Sequence, residues 1–189
     1  MRGIVFTEFL EMVEEQFSPE TADHIIDRSE LPSGGAYTAL GTYAHEEMFA
    51  LVEQLSSEVN ISIPDLLRHF GSHLFGRFLD QYPHVFTGIQ GAFPFLMRLE
   101  DHIHVEVRKL YPNAELPTFT YDDSVPGRLV MLYRSSRPLG DLAEGLIEGC
   151  LAHYNEPITL TREDLPDTTL TCVRFTLVRQ PHRPEIPHE

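Results

Sequence analysis

The chain has 189 residues, 42% of them hydrophobic and 23% charged, which suits one globular domain with a sizeable core. Asp and Glu total 29 against 14 Lys and Arg, giving a formal net charge of −15, and so acidic a surface repels nucleic acid and anionic membranes. The two cysteines, Cys150 and Cys172, indicate no disulfide framework, and no run of roughly 18 apolar residues predicts a membrane span. A cytoplasmic protein is the simplest interpretation.

The first part of the chain has the apolar periodicity of helices separated by a loop. This pattern predicts a helix over residues 5–17, a second helix that begins at Ser18, and a third over residues 44–59. A stretch rich in turn-forming residues, 31–41, predicts the loop before the third helix, with a Gly-Gly pair as its pivot.

Two longer helical patterns follow. Ser62 has the character of an N-terminal cap, and the helix after it carries a wide apolar stripe until Pro83 ends it. Residues 92–110 again have apolar side chains at helical spacing, and they predict one continuous helix.

The second half of the chain mixes strands with a helix. Residues 128–135 alternate between apolar and polar side chains as a strand does, and residues 118–123 can pair with them as a hairpin. Residues 139–154 return to a helical period, and residues 157–161 and 169–178 read as strands that can complete an antiparallel sheet. Helices followed by a mixed half predict an α+β fold.

A pair of histidines lies on the predicted 92–110 helix. An imidazole nitrogen is a good axial ligand for heme iron, and one protein ligand suffices where the opposite face of the heme stays open. Helical geometry does not choose between His102 and His104, because each lies roughly 100° from the centre of the apolar stripe, on opposite flanks. Taken alone, either is better explained as a histidine at the surface or at its boundary.

Three hydrogen-bond donors follow the strand over 128–134. If the chain continues in extended form, Tyr133, Ser135 and Arg137 project from one face. A guanidinium can donate two parallel hydrogen bonds to one carboxylate, and the two hydroxyls add uncharged hydrogen bonds. This row therefore suits an anion with two carboxylates, such as the propionates of heme. Taken alone, however, the row is better explained as a polar strand end whose side chains are solvated.

The two features together resemble the heme nitric-oxide/oxygen-binding (H-NOX) family, which includes the sensor domain of soluble guanylate cyclase. The resemblance rests on the opening MRGIVF, on HVEVRKLYPNAELP, on YRSSR as a YxSxR motif, and on LAEGLIEG, in this order and spacing. It implies one H-NOX domain over residues 1–180, with an N-terminal helical lobe of about residues 1–63. The other lobe then has helices and a four-stranded antiparallel sheet, and residues 181–189 are a disordered tail or a linker.

The resemblance also implies roles for individual residues. It places the axial ligand of a heme b group at His104, and it assigns the propionate contacts to Tyr133, Ser135 and Arg137. Pro117 matches a proline that presses on the heme and distorts it. The family binds gases and signals without catalysis, so no enzyme is expected.

The resemblance suggests which gas is bound. Members that hold oxygen have a distal tyrosine, and its position here is Leu142, which has no donor. Further apolar positions of the distal wall are Val5, Phe9, Leu74, Phe75 and Phe78. A missing hydrogen bond to a charged partner forfeits about 1.5–3 kcal/mol, so nitric oxide and carbon monoxide are favoured over oxygen. Nitric oxide then weakens the iron–His104 bond, the lobes shift, and a histidine kinase or a cyclic-di-GMP enzyme of the same bacterial cell responds.

Other interpretations remain open. His69 and His73 lie four residues apart on one helix and could chelate zinc, although no nearby Glu or Cys completes a set. Some bacterial relatives bind zinc through four cysteines, and two of those positions are Gly140 and Leu142 here, with Cys172 as the remnant, so no zinc is expected. The remaining alternatives are a heme-based redox or oxygen sensor and a heme-free interaction module of the same fold.

Overall fold

The computed structural model describes residues 1–110 and 114–181. The helices of this part are α1 (Gly3–Gln16), α2 (Pro19–Arg28), α3 (His45–Val59), α4 (Ile63–Gln81), α5 (Pro83–Phe86), α6 (Ala92–Leu96), a π-helical turn (Leu99–Ile103), α7 (His104–Leu110) and α8 (Gly140–Tyr154). The strands are β1 (Thr118–Asp122), β2 (Arg128–Ser135), β3 (Ile158–Leu165) and β4 (Thr171–Arg179). None of the described helices combines the length and the apolar character that a membrane crossing requires. The predicted tail lies, apart from Pro181, outside the described residues.

The helix starts follow from their capping residues. The hydroxyl of Ser18 accepts a hydrogen bond from the backbone N–H of Thr21, and Ser62 accepts one from Asp65, so α2 and α4 begin where the sequence predicts. Pro83 does end α4, but it also begins the short helix α5, which the sequence analysis did not predict. Proline fits the first turn of a helix because its missing N–H has no partner there.

The loop between α2 and α3 turns where the sequence predicts. Gly34 and Gly35 have φ angles of 66° and 75°, in the left-handed region that favours glycine. This loop returns the chain to the N-terminal segment, where Gly3 donates a backbone hydrogen bond of 2.9 Å to Gly41. The start of α1 is thereby fixed to the loop.

The four strands form one antiparallel sheet in the order β1-β2-β4-β3. The hairpin of β1 and β2 pairs Phe119 with Tyr133. On the other side of β2, Tyr133 pairs with Val173 of β4. Leu129, Met131 and Tyr133 alternate with less buried neighbours, so they share the face of β2 that is covered by helices. The predicted α+β fold with a four-stranded antiparallel sheet is confirmed.

Two clusters of buried side chains make up the core. One lies among α1, α2, α3 and α4 and includes Leu139 and Leu142 from the start of α8. The other lies between the sheet and the helices α6 and α8. Helix α4 belongs to both, because Leu74 packs in the first cluster and Phe75 in the second.

The prediction of one continuous helix over 92–110 is wrong. Helix α6 begins after Gly91, whose φ is 104°, and it ends at Leu96. A π-helical turn then runs from Leu99 to Ile103, and α7 follows directly. A π-turn holds one more residue than an α-turn, so every residue after it is rotated about the axis relative to an unbroken α-helix.

Candidate heme site

The π-turn decides which of the two histidines faces inwards. His104 is the first residue of α7, and only 9% of its surface is exposed, whereas His102 within the π-turn is exposed. A straight α-helix would place both at the flanks of the apolar stripe. The extra residue of the π-turn rotates His104 towards the interior, which makes it the better candidate for a ligand within the protein.

The ring of His104 is held through one nitrogen. Its Nδ1 lies 3.0 Å from Oε1 of Glu100, four residues earlier. Burial lowers the pKa of His104, and the charge and hydrogen bond of Glu100 oppose this shift only in part. The imidazole is therefore neutral near pH 7, the form that binds a metal ion.

An aromatic ring connects His104 with the donor residues of β2. The ring centre of Phe119 lies 6.0 Å from that of His104 and 5.5 Å from that of Tyr133, with the second pair in an edge-to-face arrangement. Phe119 was not among the residues that the sequence predicts for the site. The alternation in the strand over 118–122 is the signal that could have placed it, because Phe119 and Tyr121 share one face there.

Tyr133, Ser135 and Arg137 form a donor row, but a turn rather than a strand positions its last member. Strand β2 ends at Ser135, whose hydroxyl accepts a hydrogen bond of 3.0 Å from the backbone N–H of Arg137. Tyr133 is 2% exposed, and burial raises the pKa of its phenol, so the group keeps its proton for donation. The extended backbone that the sequence predicts up to Arg137 ends at Ser135. The Tyr133 phenol nevertheless interacts with the Ser135 hydroxyl and with the charge of Arg137.

The guanidinium of Arg137 already binds a carboxylate. It donates hydrogen bonds of 2.8 Å to the backbone carbonyl of Glu115 and of 2.7 Å to the Glu115 carboxylate, whose side chain is 74% exposed. The Nε atom of Arg137 is buried and has no hydrogen-bond partner among the described residues. Half-buried Pro117 lies between Glu115 and β1, on the same connecting segment.

Most of the predicted apolar wall comes together. Phe9, Leu74 and Leu142 are buried in the first core cluster, and Val5 and Phe78 pack against it. Phe75 does not join them, because its ring packs in the second cluster against Phe86 and Phe95, at 5.6 and 5.7 Å between ring centres. Leu146 packs against both clusters and was missed, although it follows Leu142 by one helical turn.

The pair His69 and His73 forms no metal centre in the described chain. His69 is hydrogen-bonded to Gln16 on α1, and the buried Nε2 of His73 has no hydrogen-bond partner there. Across residues 1–110 and 114–181, no group of three or more His, Cys, Asp or Glu side chains is arranged to hold a metal ion. Both cysteines are buried free thiols.

The residues present fit a heme group. His104 offers Nε2 from a buried ring whose other nitrogen is engaged by Glu100. Arg137 already binds the carboxylate of Glu115, and its buried Nε–H has no partner among the described residues. The hydroxyls of Tyr133 and Ser135 are further donors. A single axial nitrogen, donors for two carboxylates and an apolar wall are the requirements that a five-coordinate heme places on a protein.

Comparisons with known proteins agree with this chemistry. The sequence profile of the Haem-NO-binding (HNOB) family matches residues 2–162. The crystal structure of an Fe(II) unliganded H-NOX protein from K. algicida is 40% identical, with a TM-score of 0.89 over 96% of this chain and 98% of that one. The IWP-051-bound H-NOX from Shewanella woodyi in the Fe(II)CO ligation state is 38% identical, with a TM-score of 0.82 over 96% and 95%.

A more distant structure has the same fold. An H-NOX protein from S. oneidensis in the Fe(II)NO ligation state is 26% identical, with a TM-score of 0.86 over 96% of this chain and all of that one. A comparison with curated protein sequences finds no match. The chain belongs to the Haem-NO-binding (H-NOX) family of heme-binding gas-sensor domains.

Proposed function

We propose that this protein senses nitric oxide through heme b bound by His104. The observation that carries the proposal is the state of His104: the ring is buried, Nδ1 is engaged by Glu100, and Nε2 remains for iron. At the end of β2, the donor row of Tyr133, Ser135 and Arg137 would bind the two propionates, with Arg137 exchanging the exposed carboxylate of Glu115 for a propionate.

The apolar wall supports a preference for nitric oxide and carbon monoxide over oxygen. Ferrous heme held by these residues would supply the site at which a diatomic gas binds. Leu142 and Leu146 on α8 and Phe9 and Phe78 on α1 and α4 offer no hydrogen-bond donor to a gas there. Bound oxygen gains much from a donor because it carries negative charge, whereas nitric oxide and carbon monoxide gain little. Related H-NOX structures contain these two gases, in the S. oneidensis and S. woodyi proteins.

The signal starts at His104. With heme bound, His104 would connect helix α7 to the iron, and nitric oxide would weaken that connection. Pro117, on the segment that leads into β1, would contact the heme and distort it while this connection is intact. Release of α7 then changes the contact between the helical lobe, about residues 1–63, and the rest of the 1–180 domain. The first core cluster joins side chains of the helical lobe to Leu74 of α4 and Leu142 of α8, so a movement of that lobe would alter the packing around both.

The response passes to another protein. A histidine kinase or a cyclic-di-GMP enzyme in the cytoplasm is the proposed partner. The formal charge of −15 supports a partner with a basic surface, because complementary charge accelerates association. Nucleic acid and anionic membranes are not proposed as partners for the same electrostatic reason.

Replacing the ligand tests the proposal. After reduction and heme reconstitution, the wild-type protein is expected to retain its Soret band through desalting and to change spectrum with nitric oxide. His104→Gly is expected to lose the heme, and added imidazole to restore it. His102→Gly is the matched control, because His102 lies two residues before His104, on the adjoining π-turn, but is exposed. Equal heme content in the two variants would refute the assignment.

A further inference from the structure

Glu100 is a carboxylate held against the ring nitrogen of His104 that faces away from the proposed iron site. Its Oε1 lies 3.0 Å from His104 Nδ1 and also accepts a hydrogen bond of 2.9 Å from the backbone N–H of Phe119. Its Oε2 lies 3.9 Å from the guanidinium of Arg108. About a fifth of the Glu100 side chain is exposed, so these contacts fix its position from three sides.

The local backbone creates this arrangement. Glu100 and His104 are four residues apart across the junction of the π-turn and α7, and this spacing places two side chains on one face. Phe119, the second residue of β1, donates its backbone N–H to the same carboxylate oxygen of Glu100. The helix junction and the first strand therefore meet at one oxygen atom.

This contact determines which nitrogen of His104 carries the proton. A carboxylate oxygen accepts hydrogen bonds, so Nδ1 is the protonated nitrogen and donates to Glu100. The lone pair is then on Nε2, the nitrogen on the far side of the ring. His104 is thereby prepared in the tautomer that binds a metal ion through Nε2.

A metal-binding histidine whose other ring nitrogen donates its N–H to a carboxylate is a more basic ligand and is held in one orientation. We propose that Glu100 is a positioning residue that strengthens the iron–His104 bond and lowers the reduction potential of the Fe(III)/Fe(II) couple. Negative charge passed to the ring favours the ferric ion, which has the higher charge. This inference rests on the proposed role of His104 as the axial ligand.

The consequence concerns the threshold of the sensor. The bond between iron and His104 is the one that nitric oxide would weaken. The Glu100 carboxylate on Nδ1 of His104 would oppose that weakening. Glu100 therefore sets how readily α7 is released, and it acts through His104 without touching the gas or the iron. Its removal makes release easier.

Glu100→Gln and Glu100→Leu test the proposal in a graded series. The amide of Gln can still accept from Phe119 and His104 but carries no charge, and Leu accepts nothing. In the ferrous heme protein, the iron–histidine stretching frequency is expected to fall from wild type to Gln to Leu, and the midpoint potential to rise in the same order. Asp101→Asn removes an exposed carboxylate from the same π-turn and is expected to leave both values unchanged.

A second measurement needs no substitution at Glu100. In the His104→Gly variant, imidazole can donate an N–H to Glu100, whereas N-methylimidazole cannot. Imidazole is expected to bind about tenfold to a hundredfold more tightly, the worth of one hydrogen bond to a charged group. In the His104→Gly, Glu100→Leu double variant this ratio is expected to approach one.

The outcomes separate this inference from the proposed function. If the wild-type protein holds no heme, or if His104→Gly keeps it unchanged, the ligand assignment fails. If heme binds through His104 but the frequency and potential are the same in wild type and both Glu100 variants, Glu100 has only a structural role. Equal affinities of the two imidazoles in the His104→Gly variant would overturn the inference on their own.

Discussion

Gly145 of α8 and Arg68 of α4 touch through their backbones: a Cβ atom on Gly145 would fall on the carbonyl oxygen of Arg68. The contact is reciprocal, because a Cβ atom on Gly71 of α4 would lie 2.7 Å from the backbone nitrogen of Leu146 on α8. Glycines at these positions let the two helices approach to a distance that no side chain permits. The crossing carries Leu142 and Leu146 into the apolar wall.

This contact predicts opposite effects for two glycine substitutions. Gly145→Ala is expected to lower the free energy of unfolding by about 1–3 kcal/mol, because the added methyl group forces the helices apart. Gly76→Ala, within α4, is the control: nothing lies within 4 Å of its Cβ position, and the better helix propensity of Ala should stabilise by about 0.5–1 kcal/mol. Urea denaturation measures both. A Gly145→Ala protein as stable as wild type would contradict the tight crossing.

The donor row predicts how firmly heme is held. Arg137→Ala is expected to release heme about tenfold to a hundredfold faster, which corresponds to one charge-assisted hydrogen bond. Arg134→Ala removes an exposed arginine from β2, three residues before Arg137, and as the control should release heme at the wild-type rate. Transfer of heme to an excess of scavenger protein, followed by absorbance, measures the rates. Equal rates for the two variants would mean that Arg137 does not bind a propionate.

The apolar wall predicts that gas preference can be changed at one position. Leu142→Tyr places a phenol beside the proposed gas position and is expected to raise oxygen affinity about tenfold to a hundredfold, with little effect on carbon monoxide. Leu142→Phe adds the ring without the hydroxyl and is the control. Gas titrations of the ferrous proteins measure both affinities. The prediction fails if Phe and Tyr alter oxygen affinity equally.

A pH dependence follows from His73. Burial lowers the pKa of His73 in the folded protein, and the charges of Arg77 and His69 act in the same direction against those of Glu15 and Glu8. A histidine with a depressed folded pKa stabilises the fold above its unfolded pKa, near 6.5, and this contribution is lost as the pH falls. Replacing it with an untitratable residue should therefore flatten the acid side of the stability profile.

The measurement compares His73→Leu with wild type by urea denaturation between about pH 8 and pH 5. The variant is expected to lose less stability over this range. His84→Leu removes an exposed imidazole and controls for loss of the group at the surface. Parallel profiles for His73→Leu and wild type would show that His73 does not contribute to the acid side.

The sequence predicts most of the helices and strands but not the interruption of the helix over residues 92–110. Helix caps at Ser18 and Ser62 and the alternation along β2 depend on neighbouring residues, so they can be read locally. The choice between His102 and His104 cannot, because it depends on a π-turn whose extra residue looks like any other helical residue. Only the family resemblance selected His104.

The candidate site shows the same division. Periodicity indicates that Tyr133 faces the interior, but the position of Arg137 depends on a turn closed by the Ser135 hydroxyl. The role of Phe75 is also decided by tertiary packing, since Phe75 and Leu74 are adjacent on one helix and pack in different clusters. Glu100 was missed because its partner contact spans the junction of the π-turn with α7.

The position of Leu74 and Phe75 on α4 has a mechanical consequence. Their side chains point to different sides of the helix axis, so the packing of each cluster depends on the position of this one helix. Helix α8 also contributes to both clusters and lies against α4 at Gly71 and Gly145. A displacement of this helix pair therefore alters the packing of both clusters together.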